Sequence, residues 1–324
     1  MRALITGVGG FAGSHLADYL VGHTDWQVSG CILPRWDCSR LDRRVACIEL
    51  DLRDRLPVRA MLERVAPDVI FHLAGQAFPP ISWDDPWDTL ENNIRAETNL
   101  LDGLVKLDVK PRVLVVGSGD EYGPAHPEDL PLHEDSPLRT NSPYAVSKAA
   151  QDWLGLAYFL SHKLPIVRVR PFNHIGPRQS ESFVVPAFAK QIALIEVGQQ
   201  EPVLRVGNLS ARRDFTDVRD VVRAYYLAVT LGQPGEVYNI GSGRSYAIQE
   251  ILNIIVSYSR VSVRVEQDPA RMRPSDIPDI HCDASKLIQA TGWRPEIPLE
   301  QSLRDVLDEW REKVISEQQS VNQI

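Results

Sequence analysis

Ala3-Leu4-Ile5-Thr6-Gly7-Val8-Gly9-Gly10-Phe11-Ala12-Gly13-Ser14-His15-Leu16 opens the chain and decides its fold class. A short apolar strand runs into spaced glycines and then into an amphipathic helix, the setting that a phosphate-binding glycine turn requires. Gly7 permits the tight turn, Gly10 lets the backbone approach a pyrophosphate, and Gly13 lets helix and strand pack closely, with the anion at the helix N-terminus. An isolated glycine triplet is equally an ordinary strand-to-helix turn, so the rest of the chain has to supply the context.

It does so by alternation. Strand-like runs at 3–6, 27–32, 46–50, 69–73, 112–117 and 165–169 are separated by helical stretches at 13–21, 56–65, 89–106 and 144–160. Such alternation gives an α/β fold, a Rossmann-like doubly wound parallel sheet. Val69-Ile70-Phe71-His72-Leu73 and Val113-Leu114-Val115-Val116 are apolar almost throughout, as strands buried on both faces are. The second half is less regular and richer in proline and arginine, with short strands expected at 203–206 and 261–266. Residues 1–171 are therefore expected to form a dinucleotide-binding domain, with returns of the chain to it near 215–243 and 281–291. Residues 172–324 are expected to form mainly a smaller, interleaved C-terminal substrate lobe, ending in a polar, frayed tail after Glu312.

Composition narrows the partners. The 324 residues carry a net charge of −8, which argues against nucleic acid, since a phosphate backbone demands a basic face. Locally gathered arginines would still accept an anionic small molecule. Cys31, Cys38, Cys47 and Cys282 show no metal-ligand spacing and read as reduced thiols of a cytoplasmic protein, so no metal is expected. The glycine turn starts almost at Met1, which speaks against a signal peptide, and no apolar run reaches membrane-spanning length.

Chemistry is carried by Ser118-Gly119-Asp120-Glu121-Tyr122-Gly123 and by Ser142-Pro143-Tyr144-Ala145-Val146-Ser147-Lys148. Four-residue spacing puts Tyr144 and Lys148 on one helix face, where an ammonium beside a phenol would favour the phenolate and make a proton shuttle. Tyr and Lys also fall at this spacing by chance, and Asp120 and Glu121 read most simply as a solvated carboxylate pair. At the end of the second strand, in Pro34-Arg35-Trp36-Asp37, Arg35 suits the 2′-phosphate of NADPH, and Arg40 stands close behind it; Asp37 leaves NADH open.

Together these segments resemble the extended short-chain dehydrogenase/reductase family, in its nucleotide-sugar branch. The resemblance rests on Thr6–Gly13, Asp51-Leu52, His72-Leu73-Ala74-Gly75, Ser118 with Tyr122-Gly123, and Tyr144/Lys148. It implies that Gly7, Gly10, Phe11 and Gly13 cradle the pyrophosphate and that Asp51 and Leu52 lie near the adenine. Leu73, Ala74, Gly75 and Pro171 would border the rest of the cofactor, and Ser118, Tyr144 and Lys148 would form the catalytic triad. Asn93-Ile94-Arg95-Ala96-Glu97 departs from the family, which usually ends that segment in Gly-Thr. Arg170–Pro177, Ser182–Val184 and Phe188–Ile192 are similar to enzymes of GDP-mannose-derived sugars. Arg213-Asp214-Phe215-Thr216-Asp217-Val218-Arg219-Asp220 is closer to the GDP-4-keto-6-deoxy-mannose reductases than to the GDP-mannose 4,6-dehydratases. On this analogy Asn173, Val184, Lys190, Asn208, Arg213 and Arg273 would meet the nucleotide sugar. A surface ion-pair network among Arg212, Arg213, Asp214, Asp217, Arg219 and Asp220 is the plainer account of that run.

A 4,6-dehydratase needs an acid and a base besides the tyrosine, and its family pattern is Thr, then Asp or Ser, then Glu. This chain has Ser118-Gly119-Asp120, so Gly119 offers no side chain, while Asp120, one methylene shorter than glutamate, stays a candidate catalytic carboxylate beside Ser118, Tyr144 and Lys148. A ketone reductase needs only a hydride and one proton, with Ser118 bonded to the developing alkoxide. The expected activity is therefore NAD(P)H-dependent reduction of the C4 ketone of GDP-4-dehydro-6-deoxy-D-mannose, with a 4,6-dehydratase or another family reaction as the alternative and a non-catalytic nucleotide sensor as the third. The resemblance also implies a homodimer that packs the helices at 89–106 and 144–160. Leu100, Leu101, Leu104, Trp153, Leu154 and Leu156 serve such a bundle or the internal core equally well.

Overall fold

Alternating buried strands and one-sided helices assemble as their patterning demands in the computed structural model, which describes residues 1–34, 36–272 and 277–321. The first half supplies β1 (Arg2–Thr6), β2 (Gln27–Ile32), β3 (Ala46–Glu49), β4 (Val69–His72), β5 (Arg112–Val116) and β6 (Ile166–Pro171). Its helices are α1 (Phe11–His23), α2 (Arg55–Val65), α3 (Ile81–Asp84), α4 (Pro86–Lys106) and α5 (Pro143–His162). The second half adds β7 (Asn173–Ile175), α6 (Val184–Glu196), β8 (Val203–Val206), β9 (Arg212–Asp217), α7 (Val218–Leu231) and β10 (Val237–Ile240). Then follow β11 (Ser245–Ala247), α8 (Ile248–Ser257), β12 (Arg264–Gln267), β13 (Asp279–Ile280), α9 (Ser285–Thr291) and α10 (Leu299–Val321).

A seven-stranded parallel sheet runs β3-β2-β1-β4-β5-β6-β10, so the strand order reverses between β1 and β4. Ligands of open α/β sheets bind at that reversal, outside the carboxyl ends of the strands. One sheet face is covered by α1 and α7, through Leu16, Leu20, Val221 and Tyr225, and the other by α2 and α4, through Met61, Leu62, Leu100 and Leu104. Every residue of β4 is buried, as its apolar run requires. A separate core joins Phe188 and Ile192 of α6, Ile251 and Ile255 of α8, and Leu303 and Leu307 of α10. Beside it lie the β11-β9-β13 ladder, with β7 paired to β9, and the β12-β8 pair.

Two expectations change, and one open choice is decided. The chain after Glu312 is not frayed: α10 continues through Val321, with Val314 buried one turn beyond Trp310 against the α6–α8 core. The last strand of the β12-β8 pair begins at Arg264 rather than 261, in register with Val203. Leu100, Leu101 and Leu104 belong to the internal core, leaving Trp153 of α5 more than half exposed.

Candidate active site

The strand reversal opens into a cavity of about 1300 Å³. That exceeds the roughly 300–1,000 Å³ of a single drug-sized ligand and leaves room for a dinucleotide and a second molecule. Its floor is the glycine turn. Gly7 has φ +72°, and a Cβ there would lie 2.9 Å from Ala74 Cα, while a Cβ on Gly13 would lie 2.2 Å from the Gly7 carbonyl oxygen. Gly10 caps α1 without a side-chain bond, so the helix presents bare amides at the cavity. These features fit a pyrophosphate cradle. Phe11 stacks on His174 with centroids 5.6 Å apart, tying the turn to the second lobe.

Along the wall lie Asp51 and Leu52, then Leu73, Ala74 and Gly75, and at the far end Pro171, Asn173 and Arg213. Asp51 is bound by Arg53 at 2.7 Å, and that bond holds its carboxyl below the usual range. Ser118, Asp120, Tyr144 and Lys148 also line the cavity, so residues from the loop after β5 and from α5 converge on it. The helix starts cleanly because Ser142 accepts the Ala145 amide and Pro143 occupies the first turn, where no amide bond is lost.

The electrostatics differ from the simple expectation. Lys148 does not reach for the phenol; its ammonium donates to the Val116 carbonyl at 2.8 Å and to Gln151 Oε1 at 3.0 Å. Burial pulls Lys148 down to about 8, against the upward pull of Glu121 and Glu97. The Tyr144 phenol is instead pushed up by burial and then by Asp120, with a hydrogen bond to Ser118 pulling the other way. It is a held proton rather than a standing phenolate.

Glu121 overturns the reading of a solvated pair. It is fully buried, accepts the Ser118 amide at 2.7 Å and faces Arg170 at 3.2 Å. Arg170 and Arg168 both pair with Asp152, all four groups being almost inaccessible. Burial requires such charges to be paired, and this cluster braces the catalytic loop from behind. Asn93 does similar work in front: its Oδ1 accepts the Gln76 amide at 2.7 Å and its Nδ2 donates to Ser147 at 2.8 Å.

Among the expected substrate residues, Val184, Lys190 and Asn208 do not line the cavity. Lys190 is paired with Glu181 at 2.5 Å and lies over the Trp310 ring. Arg35 and Arg273 lie outside the described residues. His174, Phe78 and Phe183 line the cavity without having been anticipated; Phe78 meets Phe183 edge to face at 5.3 Å, across the two lobes. His174 and Phe183 had a signal, since both lie inside segments similar to the enzymes of GDP-mannose-derived sugars; Phe78 had none. Among the described residues no group of acidic, histidine and cysteine side chains is gathered as a metal site, and no helix is long and apolar enough to cross a membrane.

A Rossmann-like sheet with its glycine turn and a Ser–Tyr–Lys set on one cavity is the arrangement of the extended short-chain dehydrogenases/reductases. The pattern of the GDP-mannose 4,6 dehydratase family matches residues 4–306. The chain is 37% identical to GDP-6-deoxy-D-mannose reductase of Pseudomonas aeruginosa, over 98% of this chain and 99% of that one. It is 28% identical to GDP-mannose 4,6 dehydratase 2 of Arabidopsis thaliana, over 97% and 89%. Among solved structures, RMD from Pseudomonas aeruginosa complexed with NADPH superposes with a TM-score of 0.86 at 35% identity, covering 96% of this chain and 99% of that one. UDP-glucose 4-epimerase of Thermotoga maritima with UDP-glucose gives 0.86 at 28% identity, covering 97% and 100%. The chain belongs to the GDP-mannose 4,6 dehydratase family, in the nucleotide-sugar branch of the extended short-chain dehydrogenases/reductases.

Proposed function

We propose that this protein reduces the C4 ketone of GDP-4-dehydro-6-deoxy-D-mannose to GDP-6-deoxy-D-mannose (GDP-D-rhamnose) with NADPH. The loop after β5 carries the reading. Asp120 is its one carboxylate on the cavity wall, Glu121 is turned inward to Arg170, and the Phe172 ring fills the space beside Gly119. That leaves little acid–base equipment beyond Tyr144, enough for one proton delivery and short of what dehydration across C5 and C6 requires. The likeness to the Pseudomonas reductase and to its NADPH complex supports both substrate and cofactor.

The residues take these roles. Gly7, Gly10, Phe11 and Gly13 with the α1 amides hold the pyrophosphate, Asp51 and Leu52 meet the adenine end, and Arg35 suits the 2′-phosphate. Leu73, Ala74, Gly75 and Pro171 frame the nicotinamide half, and Lys148 holds its ribose. NADPH, when bound, supplies the hydride. Tyr144 carries the proton at its hydroxyl and gives it to the carbonyl oxygen, while Ser118 bonds the developing alkoxide. Asn173 and Arg213 receive the nucleotide sugar, and Arg213 offers a guanidinium fork to the diphosphate. The resemblance adds Val184, Lys190, Asn208 and Arg273 to the substrate residues, with the first three standing off the cavity wall and Lys190 needing to exchange Glu181 for the ligand.

In the same reading, residues 1–171 with the returns at 215–243 and 281–291 form the cofactor domain and 172–324 mainly the substrate lobe. The protein works in the cytoplasm, in keeping with its four free cysteines, and as a homodimer. Val146, Trp153 and Leu160, exposed at seven-residue intervals on α5, support that pairing. Incubation with the keto-sugar and NADPH tests the activity; absence of NADPH oxidation would remove it.

A further inference from the structure

We infer that Gln151 is a positioning residue that holds the Lys148 ammonium at the end of β5 through a directed chain of hydrogen bonds. The inference rests on the role proposed above for Lys148. Gln151 lies off the cavity wall and acts only through that lysine.

The direction of the chain follows from its first donor. An ammonium can only donate, so Gln151 Oε1, 3.0 Å from Lys148 Nζ, is an acceptor and the Gln151 amide nitrogen is a donor. That nitrogen lies 3.3 Å from His72 Nε2, which must accept. Burial, then Lys148, pulls His72 down to about 3, so the ring is neutral and its proton sits on Nδ1. Nδ1 lies 2.9 Å from Thr6 Oγ1, which also accepts the Ala74 amide at 3.1 Å. The lysine is thus connected to the glycine-turn strand and to the Ala74 segment by three side chains, each, like the lysine's own, at least nine-tenths buried.

Other charges near Lys148 are committed elsewhere. Glu121 faces it from the loop after β5 but accepts the Ser118 amide and pairs with Arg170. Asp152, on the same helix, is held by Arg168 and Arg170. Glu97, from α4, is fully buried; burial pushes its carboxyl well up, with Lys148 and a hydrogen bond from Gln151 pulling the other way. His72 is neutral, and Tyr144, one turn away on α5, keeps its proton. Gln151 is therefore the side chain that directly satisfies the ammonium.

The test compares wild type, Gln151→Met and Gln151→Glu in the reduction of GDP-4-keto-6-deoxy-mannose by NADPH between about pH 6 and about pH 10. Loss of the acceptor is expected to move the alkaline limb of kcat/KM down by about one pH unit, a roughly tenfold loss on that limb, with the rate near pH 6.5 within about threefold of wild type. A carboxylate in the same place is expected to move the limb up. Limbs superimposed on wild type, or one uniform loss at every pH in both variants, would overturn the inference. Lys148→Met separates the two ideas: retained turnover there sinks the Lys148 reading, whereas lost turnover with unmoved Gln151 limbs sinks this inference alone. Should the variants not fold, the nitrogen-15 shifts of His72 in the wild-type protein decide, with a proton on Nδ1 expected and a proton on Nε2 contradictory.

Discussion

The ring of Phe172 packs against Gly119: a Cβ built on that glycine would stand 3.0 Å from it. The contact links the end of β6 to the loop after β5 and fills the space that a side chain at 119 would need. Gly119→Glu is expected to lower stability by about 1–3 kcal/mol through overpacking, and to confer no water-eliminating activity on GDP-mannose. Urea unfolding and product mass would check the two halves; a stable variant that dehydrates GDP-mannose would refute the reading of this loop.

The proposed reaction makes Tyr144 the proton carrier. Tyr144→Phe is expected to lower kcat/KM by about 10²–10⁴-fold while NADPH affinity stays within a few-fold, because the ring remains and only the hydroxyl is lost. Stopped-flow turnover beside fluorescence titration of NADPH separates the effects, and retention of most of the turnover would remove Tyr144 from its role.

Asp152 neutralises two buried guanidiniums, pairing with Arg168 at 2.8 Å and also with Arg170. Asp152→Ala leaves Arg168 without a carboxylate and Arg170 with Glu121 alone, and is expected to cost about 3–5 kcal/mol. The loop of Ser118 is braced by the same cluster through Glu121, so activity should fall together with the urea midpoint. An unchanged midpoint would show that the cluster does not stabilise the fold.

His72 gives a pH signature. Its folded value near 3 lies below the ordinary 6.5, so as pH falls between those limits the unfolded chain binds a proton that the folded chain refuses. Stability from this group is whole above about 6.5 and is lost as pH drops toward about 3. His72→Gln is expected to flatten the wild-type decline across that window; parallel curves would show that His72 is not buried neutral.

Much of the scaffold was legible because burial on both faces of a parallel sheet leaves continuous apolar runs. Gln27–Ile32 was readable to the residue, and Tyr144 and Lys148 do fall one turn apart on a buried helix face. The charge cluster was not legible. Arg168 and Arg170 sit on β6 and their partner Asp152 is contributed by α5, so only the fold reveals the pairing. Glu121 was misread for the same reason: its sequence neighbours are polar, but it points back to cap its own loop. The pull of Lys148 on the phenol is weaker than its spacing implies because the Val116 carbonyl, at the end of β5, claims the ammonium. Helix α10 outlasted the expected boundary because a further apolar residue, Val314, keeps its helical spacing within a polar run.

Reduction and dehydration differ in their cofactor balance, which makes one measurement decisive. Purified protein is incubated with GDP-4-keto-6-deoxy-mannose and NADPH, and separately with GDP-mannose, while NADPH absorbance and product mass are followed. One NADPH oxidised per keto-sugar, a product heavier by two hydrogens, and no change in GDP-mannose are predicted. Loss of water from GDP-mannose without net consumption of cofactor would contradict the assignment.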